Sequence, residues 1–172
     1  MHLSPLFSTS YQFGDCPVVA KLTCTRPALA TLSPVANENV ITQNAARLRE
    51  LNARVSETFR DRDQSTAARL EWEKATAAFR DNYSALAFPG GEDSAKSRIL
   101  AGNPDAIEDA LTFLEVRPHF FRSGYMRNDF FRYLKRLHRE KPQALSDTQL
   151  DRLIAVLETR DQFRAHNADD DS

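Results

Sequence analysis

The hydrophobic residues that follow Asn37 recur at the spacing of helical turns. Successive members of this stripe are three or four residues apart, in the order Ile41, Ala45, Leu48, Leu51, Val55 and Phe59. Residues at these intervals share one face of a helix, so the pattern predicts a long amphipathic helix. The polar stretch RDRDQST, residues 60–66, interrupts the stripe and predicts the end of that helix.

A second stripe begins after this interruption, where Ser65 is suited to cap a helix. Its apolar members again lie at helical intervals: Ala68, Trp72, Ala75, Phe79 and Leu86. Two amphipathic helices joined by a short polar segment predict an antiparallel hairpin over residues 36–87, with one long bent helix as the alternative.

Proline and glycine divide the chain after this hairpin. In FPGGEDS, residues 88–94, the Pro and the paired Gly predict a break, and Ser94 is a candidate cap for a short helix that extends to Leu100. Asn103 followed by Pro104 has the pattern of a helix start, a capping side chain and then a proline in the first turn. The sequence therefore predicts two successive helices after the hairpin.

Two more helices follow Pro118, which is predicted to end the preceding helix. A turn at Ser123–Gly124 should precede a helix from about Asn128 to Glu140. SDTQ, residues 146–149, has the spacing of a capping box for a final helix. The side chains of this helix that the periodicity directs inward are Leu150, Leu153, Ile154 and Leu157.

These elements predict an all-α fold with one helical domain, residues 36–165. A helical hairpin over 36–87 is followed by a small bundle or solenoid-like stack of helices over 94–165. Residues 1–35 have no sustained period and are interpreted as an extended, poorly structured leader. Residues 166–172 are interpreted as a solvated acidic tail.

Several classes of protein are disfavoured by what the sequence lacks. Its apolar runs fall far short of the roughly 20 residues of a membrane-spanning helix, and residues 1–20 lack the basic and apolar regions of a secretory signal. We therefore expect a cytoplasmic protein, without membrane contact, in which Cys16 and Cys24 are reduced thiols. The four histidines form no spaced ligand set, and phosphate-binding and nucleophile motifs are absent, so neither a cofactor nor an enzymatic activity is expected.

Positive charge is concentrated in one segment of a nearly neutral chain. Residues 117–141 contain eight Lys or Arg and two acids, a local net charge of +6, whereas the whole chain carries −1. On a helical wheel the large apolar residues of the predicted helix fall on one side, around Phe130 and Leu134. The opposite side carries four cations: Arg132, Lys135, Arg136 and Arg139.

This basic face is the candidate binding site of the chain. The preceding loop adds Arg122 and Arg127, together with Tyr125, the ring that we most expect to be exposed because it follows Gly124 in a predicted turn. A non-enzymatic protein-binding module, such as an adaptor, a regulator or a neutralising partner, would present this face to an acidic protein surface. Exposed rings would add affinity.

Three alternatives stay open at this point. The face could be a solvated surface whose counter-charges come from the acidic segments 36–116 and 142–172. It could bind the phosphates of a nucleic acid, with exposed rings stacked on bases, or the chain could be an enzyme of an unrecognised type. The binding hypotheses require that the cations face water and are not engaged by carboxylates of the same protein.

Between Asn103 and about Phe163, helices alternate with proline breaks, in NPDAIEDALTFLEVRP and then in MRNDFFRYLKRL. This order resembles the stacked helical units of HEAT and armadillo-type solenoids, and the two stretches are also similar to small, uncharacterised bacterial helical proteins. The resemblance covers roughly a third of the chain. It implies a binding scaffold and identifies no functional residues.

Overall fold

A computed structural model describes the chain from residue 34 to residue 170, and its side chains from residue 37 to residue 162. Within this part the protein is all-α and contains no β-strand. Its six α-helices are α1 (Pro34–Asp61), α2 (Thr66–Ala87), α3 (Glu92–Ala101), α4 (Pro104–Val116), α5 (Ser123–Glu140) and α6 (Asp147–Asp170). The two cysteines and the predicted leader lie outside the described residues, apart from Pro34 and Val35 at the start of α1.

The predicted helical hairpin is confirmed. Helix α1 ends at Asp61 and α2 begins at Thr66, so the two apolar stripes lie on two separate helices and not on one bent helix. The Ser65 hydroxyl caps α2 and accepts a hydrogen bond from the Ala68 N–H at 3.1 Å. The first half of α1 also packs against α4 and contributes three side chains to the core: Ile41, Ala45 and Leu48.

The predicted start of α3 is wrong by three residues. Gly90 and Gly91 adopt positive φ angles of 78° and 90°, which glycine accepts without steric cost, and they complete the turn early. The helix therefore begins at Glu92, and Gly91 occupies the cap position predicted for Ser94. The Ser94 hydroxyl instead donates to the Gly90 carbonyl at 2.8 Å.

The predicted start of α5 is wrong by five residues. The turn falls before Ser123 and not at Ser123–Gly124, because Arg122 takes a left-handed conformation with φ 67° and forms the N-cap. The Ser123 hydroxyl stabilises this turn by accepting a hydrogen bond from the Phe120 N–H at 3.2 Å. Tyr125 and Arg127 therefore lie on the helix and not in a loop.

The start signals of α4 and α6 are confirmed. The Asn103 side chain accepts a hydrogen bond from the Ala106 N–H at 2.9 Å. Ser146 and Gln149 form a reciprocal capping box, in which each backbone N–H donates to the other side chain at 3.2 Å. The α6 backbone continues to Asp170, into the residues assigned to the acidic tail.

The α4 helix carries much of the buried surface. It packs against α1, α3, α5 and α6, and its buried apolar side chains are Ala106, Ile107, Ala110, Leu111, Phe113 and Leu114. In α6 the inward prediction fails for Ile154, which is exposed, whereas Leu153 and Val156 are buried. Leu153 and Val156 are three residues apart and share the side of α6 that contacts α4. The adjacent residues 153 and 154 point in different directions and cannot both face α4.

Candidate functional site

The α5 helix separates rings from cations, as the helical wheel predicts. Its inward side chains are buried: Met126, Phe130, Phe131, Leu134 and Leu137. The four predicted cations, Arg132, Lys135, Arg136 and Arg139, are all exposed. We call the exposed side of α5 the basic face, defined by these four residues.

The requirement that the cations be free of carboxylates of the same protein is not met, because carboxylates of the same helix contact three of these four cations. Arg132 pairs with Asp129, while Arg136 and Arg139 approach Glu140 at 2.9 and 3.8 Å. The expectation that counter-charges come from the segments 36–116 or 142–172 is therefore wrong for these pairs, since residues three and four apart on a helix are neighbours. The hydrogen bond that Arg132 donates to the Asp129 carboxylate is the largest cause that raises the pKa of Arg132.

These pairs reduce the charge of the basic face without cancelling it. Four cations against the two carboxylates of Asp129 and Glu140 leave a net charge of +2. Within the described residues, Lys135 contacts no carboxylate. Exposed ion pairs of this kind contribute little to stability.

Tyr125 stands at one end of the basic face and is 73% exposed. It precedes Arg132 by seven residues, or two helical turns, so the two side chains point in nearly the same direction. The row from Tyr125 to Arg139 extends about 21 Å along the helix axis. The exposed ring and the cations thus form one continuous strip on a single rigid element.

The segment between α4 and α5 is held in an unusual backbone conformation. Arg117 and Arg122, at its two ends, adopt positive φ angles of 51° and 67°. The left-handed conformation destabilises a residue that has a side chain by about 1 kcal/mol. Such residues are found where surrounding contacts fix the backbone. Here the Arg49 guanidinium donates to the His119 carbonyl at 3.2 Å.

A second anchor for this segment comes from α2. The Tyr83 hydroxyl donates to the Phe121 carbonyl at 3.0 Å. Burial is the main reason that the pKa of Tyr83 is raised to about 12, so this donor keeps its proton at neutral pH. The Tyr83 ring lies 6.4 Å from Phe120 and 6.5 Å from Phe121. Hydrogen bonds from α1 and from α2 therefore both hold this segment in place.

Phe121 is held at the surface by these contacts and is 55% exposed. Phe120 turns inward and lies 6.1 Å from the buried Phe113 ring. The exposure of Phe121 was not predicted from the sequence. The sequence nevertheless contains a signal for this exposure. Phe120 and Phe121 are adjacent, and two consecutive side chains outside a helix seldom point to the same side, so the two rings should not be buried together.

The remaining predicted site residues divide into two groups. Arg122 is exposed at the N-cap of α5, close to Tyr125 in sequence. Arg127 is only half-buried and lies beside the inward residue Met126, so it does not belong to the exposed strip. The structure thus brings Tyr125 together with the basic face and separates Arg127 from it.

The described part of the chain offers neither a metal-binding cluster nor a membrane-spanning helix. Between residues 37 and 162, where the side chains are described, no three His, Cys, Asp or Glu side chains lie close enough together to hold a metal ion. Over the same range, no helix is both long enough and apolar enough to cross a membrane. Comparison of the chain with protein-family models, with curated proteins and with solved structures finds no match.

Proposed function

We propose that this protein is a non-enzymatic helical binding module that presents the basic face of α5, with Tyr125 at its end, to an acidic protein surface in the cytoplasm. The observation that carries the proposal is the position of Tyr125. Among the described residues it is the most exposed of the large apolar side chains, and it points in nearly the same direction as Arg132. A tyrosine of this kind offers a large contact area at a low entropic cost.

The two parts of the strip have different roles in this proposal. Burial of the Tyr125 ring in a pocket of the partner supplies affinity, as tyrosine and arginine do at interface hot spots. The cations accelerate encounter with an acidic surface and select against basic ones. Because α5 is already folded and packed on the core, little conformational freedom is lost on binding.

The salt dependence of binding distinguishes a protein partner from a nucleic acid. A nucleic acid that releases several counterions would lose affinity steeply as salt rises, whatever its sequence. Two of the four charges on the basic face are offset by Asp129 and Glu140, which limits the number of phosphates that it can neutralise. The expected partner binds selectively and shows a shallow salt dependence.

A capture experiment with a matched control tests the proposal. Tagged protein is incubated with lysate from the source cell, with and without nuclease treatment. The test variant carries Tyr125→Ala with Arg132→Glu, Lys135→Glu and Arg139→Glu. The control variant reverses three exposed cations of the α1–α2 hairpin that form similar intrahelical pairs: Arg47, Arg54 and Lys74. Equal far-ultraviolet dichroism establishes that both variants are folded.

We expect the parent protein and the control variant to capture the same acidic protein, and the test variant to lose it. Loss of the bound protein on nuclease treatment would contradict the proposal in favour of a nucleic acid. Equal capture by the test variant and the parent protein would contradict any role of the basic face. Unfolding of the test variant would mean that these cations stabilise the helix itself and would support the solvated-surface interpretation.

A further inference from the structure

The distal half of the α1–α2 hairpin extends beyond the hydrophobic core. We call residues 49–74 the hairpin arm. The core takes Ile41, Ala45 and Leu48 from one end of α1, and Ala87 from the end of α2. No side chain in the hairpin arm is buried. Helices of this length depend on packing of an apolar face for their stability, and here each helix of the arm packs mainly on the other.

An aromatic cluster lies uncovered on this arm. The Phe59 ring is 47% exposed and meets the half-buried Trp72 ring edge to face, with 6.1 Å between centroids. The Arg62 guanidinium lies 3.5 Å from the Phe59 centroid, a cation–π contact that covers part of the ring. The cluster is thus assembled from both helices and remains open to water.

Phe59 continues the face of α1 that is buried at the other end of the helix. It follows Ile41 by 18 residues, which is five full helical turns, so both side chains point in the same direction. Ile41 is covered by the body of the protein, with only 3% of its surface exposed. The same face at Phe59 is covered only in part, by Trp72 and Arg62, and Phe59 does not belong to the buried core of the described residues.

The charge of the arm constrains what can cover it. Residues 49–74 contain six Lys or Arg and six Asp or Glu, so the arm is neutral. Most of these charges are already paired within their own helix, as in Arg54–Glu57, Arg69–Glu73 and Lys74–Glu71. Such a surface neither repels another copy of itself nor selects a strongly charged partner, in contrast to the basic face of α5.

We infer that the hairpin arm is a self-association surface on which two copies of this chain form a four-helix bundle. In a twofold arrangement each copy contributes the same patch, and a neutral patch centred on Phe59 and Trp72 is compatible with its own copy. Two antiparallel hairpins packed face to face are an ordinary bundle architecture. The two aromatic clusters would form the shared core.

The size of the arm predicts a weak dimer. The part of α1 in the arm is about 20 Å long, and two adjacent helices are about 20 Å wide. Each copy therefore offers a contact area on the order of 400 Å². Stable complexes bury roughly 800 Å² per partner, about twice as much. The dimer should therefore exchange with the monomer and become populated only as the protein concentration rises.

Two readouts on the full chain test this inference. Trp72 is the only tryptophan, so its fluorescence reports directly from the cluster. Sedimentation velocity and Trp72 emission are measured together from about 1 μM to about 500 μM, the range in which weak dimers form. We expect the sedimentation coefficient to rise and the emission to shift to shorter wavelength over the same range.

Phe59→Glu should abolish both changes, and Leu70→Glu is the matched control. Leu70 is 50% exposed but lies two residues before Trp72, so it points to nearly the opposite side of α2. We expect the control to dimerise like the parent chain. A parent chain that stays monomeric, a Phe59→Glu chain that still dimerises, or Trp72 emission that is independent of concentration would each overturn the inference. Partner capture through α5 uses other residues, so the two hypotheses fail independently.

Discussion

The hydroxyl of Tyr83 on α2 donates a hydrogen bond to the main-chain carbonyl of Phe121, across 38 residues of sequence, at 3.0 Å. This contact, with that from Arg49 to His119, fixes the segment that leads into α5. The direction in which Tyr125 and the basic face project is therefore set by the α1–α2 hairpin as well as by the core.

Removing this hydroxyl should loosen the entry to α5. We expect Tyr83→Phe to lower the free energy of unfolding by about 1 kcal/mol, the usual contribution of one internal hydrogen bond. Amide hydrogen exchange at Ser123 and Tyr125 should become faster than in the parent chain. Tyr133→Phe is the control, since its hydroxyl makes no hydrogen bond within the described residues. Unchanged exchange at Ser123 would contradict the anchoring role of Tyr83.

A second interhelical contact joins α6 to α4. Two nitrogens of the Arg152 guanidinium donate to the two oxygens of the Glu115 carboxylate, both at 2.7 Å, and a third donates to Glu108. These hydrogen bonds raise the pKa of Arg152 further, chiefly through Glu115. We expect Arg152→Met to lower the free energy of unfolding in urea by about 2 kcal/mol, because the half-buried Glu108 and the more exposed Glu115 would both lose their partner.

The matched control for this prediction is Arg54→Met, which removes an exposed pair with Glu57. Its effect should stay within about 0.5 kcal/mol, as for other surface substitutions. Equal effects of Arg152→Met and Arg54→Met would contradict the role assigned to the bidentate contact with Glu115.

Stability should depend on pH through Asp109 of α4, which is only 6% exposed. Burial raises the pKa of its carboxyl to about 6, although Arg98 opposes the shift. Between pH 4 and pH 6 the folded state keeps a proton that the unfolded state has released, so stability falls as the pH rises. The loss should be on the order of 3 kcal/mol and should be complete about one pH unit above the folded-state pKa.

The Asp109→Asn variant checks this expectation in urea unfolding at pH 4 and pH 7. The substitution should flatten the change between the two pH values, because asparagine carries no titratable proton. A variant with the same decline as the parent chain would assign the pH dependence to other groups.

A buried hydroxyl in the hairpin offers a stabilising substitution. The Thr76 hydroxyl oxygen is buried and has no hydrogen-bond partner among the described residues. We expect Thr76→Val to raise the free energy of unfolding by about 1 kcal/mol, because the isosteric side chain removes an unsatisfied polar group. The control is Thr58→Val, which removes a hydroxyl that donates to the Arg54 carbonyl at 2.8 Å and should not stabilise the protein. Destabilisation by Thr76→Val would show that its hydroxyl is satisfied in solution.

The sequence predicted those features that depend on local spacing. Periodicity located the hairpin and the two sides of α5, and the caps at Ser65, Asn103 and Ser146 were recognisable because each precedes an apolar period. The ion pair between Arg136 and Glu140 was equally local but was overlooked, since the cations were compared with distant acidic segments. Spacing of three and four residues within α5 was sufficient to find it.

Features that depend on tertiary contacts could not be predicted in this way. The left-handed conformations at Arg117 and Arg122 oppose the preference of arginine, and contacts from α1 and α2 fix the segment between them. Because of that turn, α5 begins at Ser123, five residues before the predicted start, although Ser123–Gly124 has the composition of a turn. The exposure of Phe121 follows from the same long-range contacts.

The most direct measurement of the proposed function places a photo-crosslinker at the end of the basic face. Tyr125 is replaced by benzoyl-phenylalanine in the source cell, with the same replacement of the exposed Arg54 on the hairpin as the control. We predict one acidic protein crosslinked through position 125 and absent from position 54. Crosslinking to nucleic acid at position 125, identical products from both positions, or no product at position 125 would contradict the proposal that this strip binds an acidic protein.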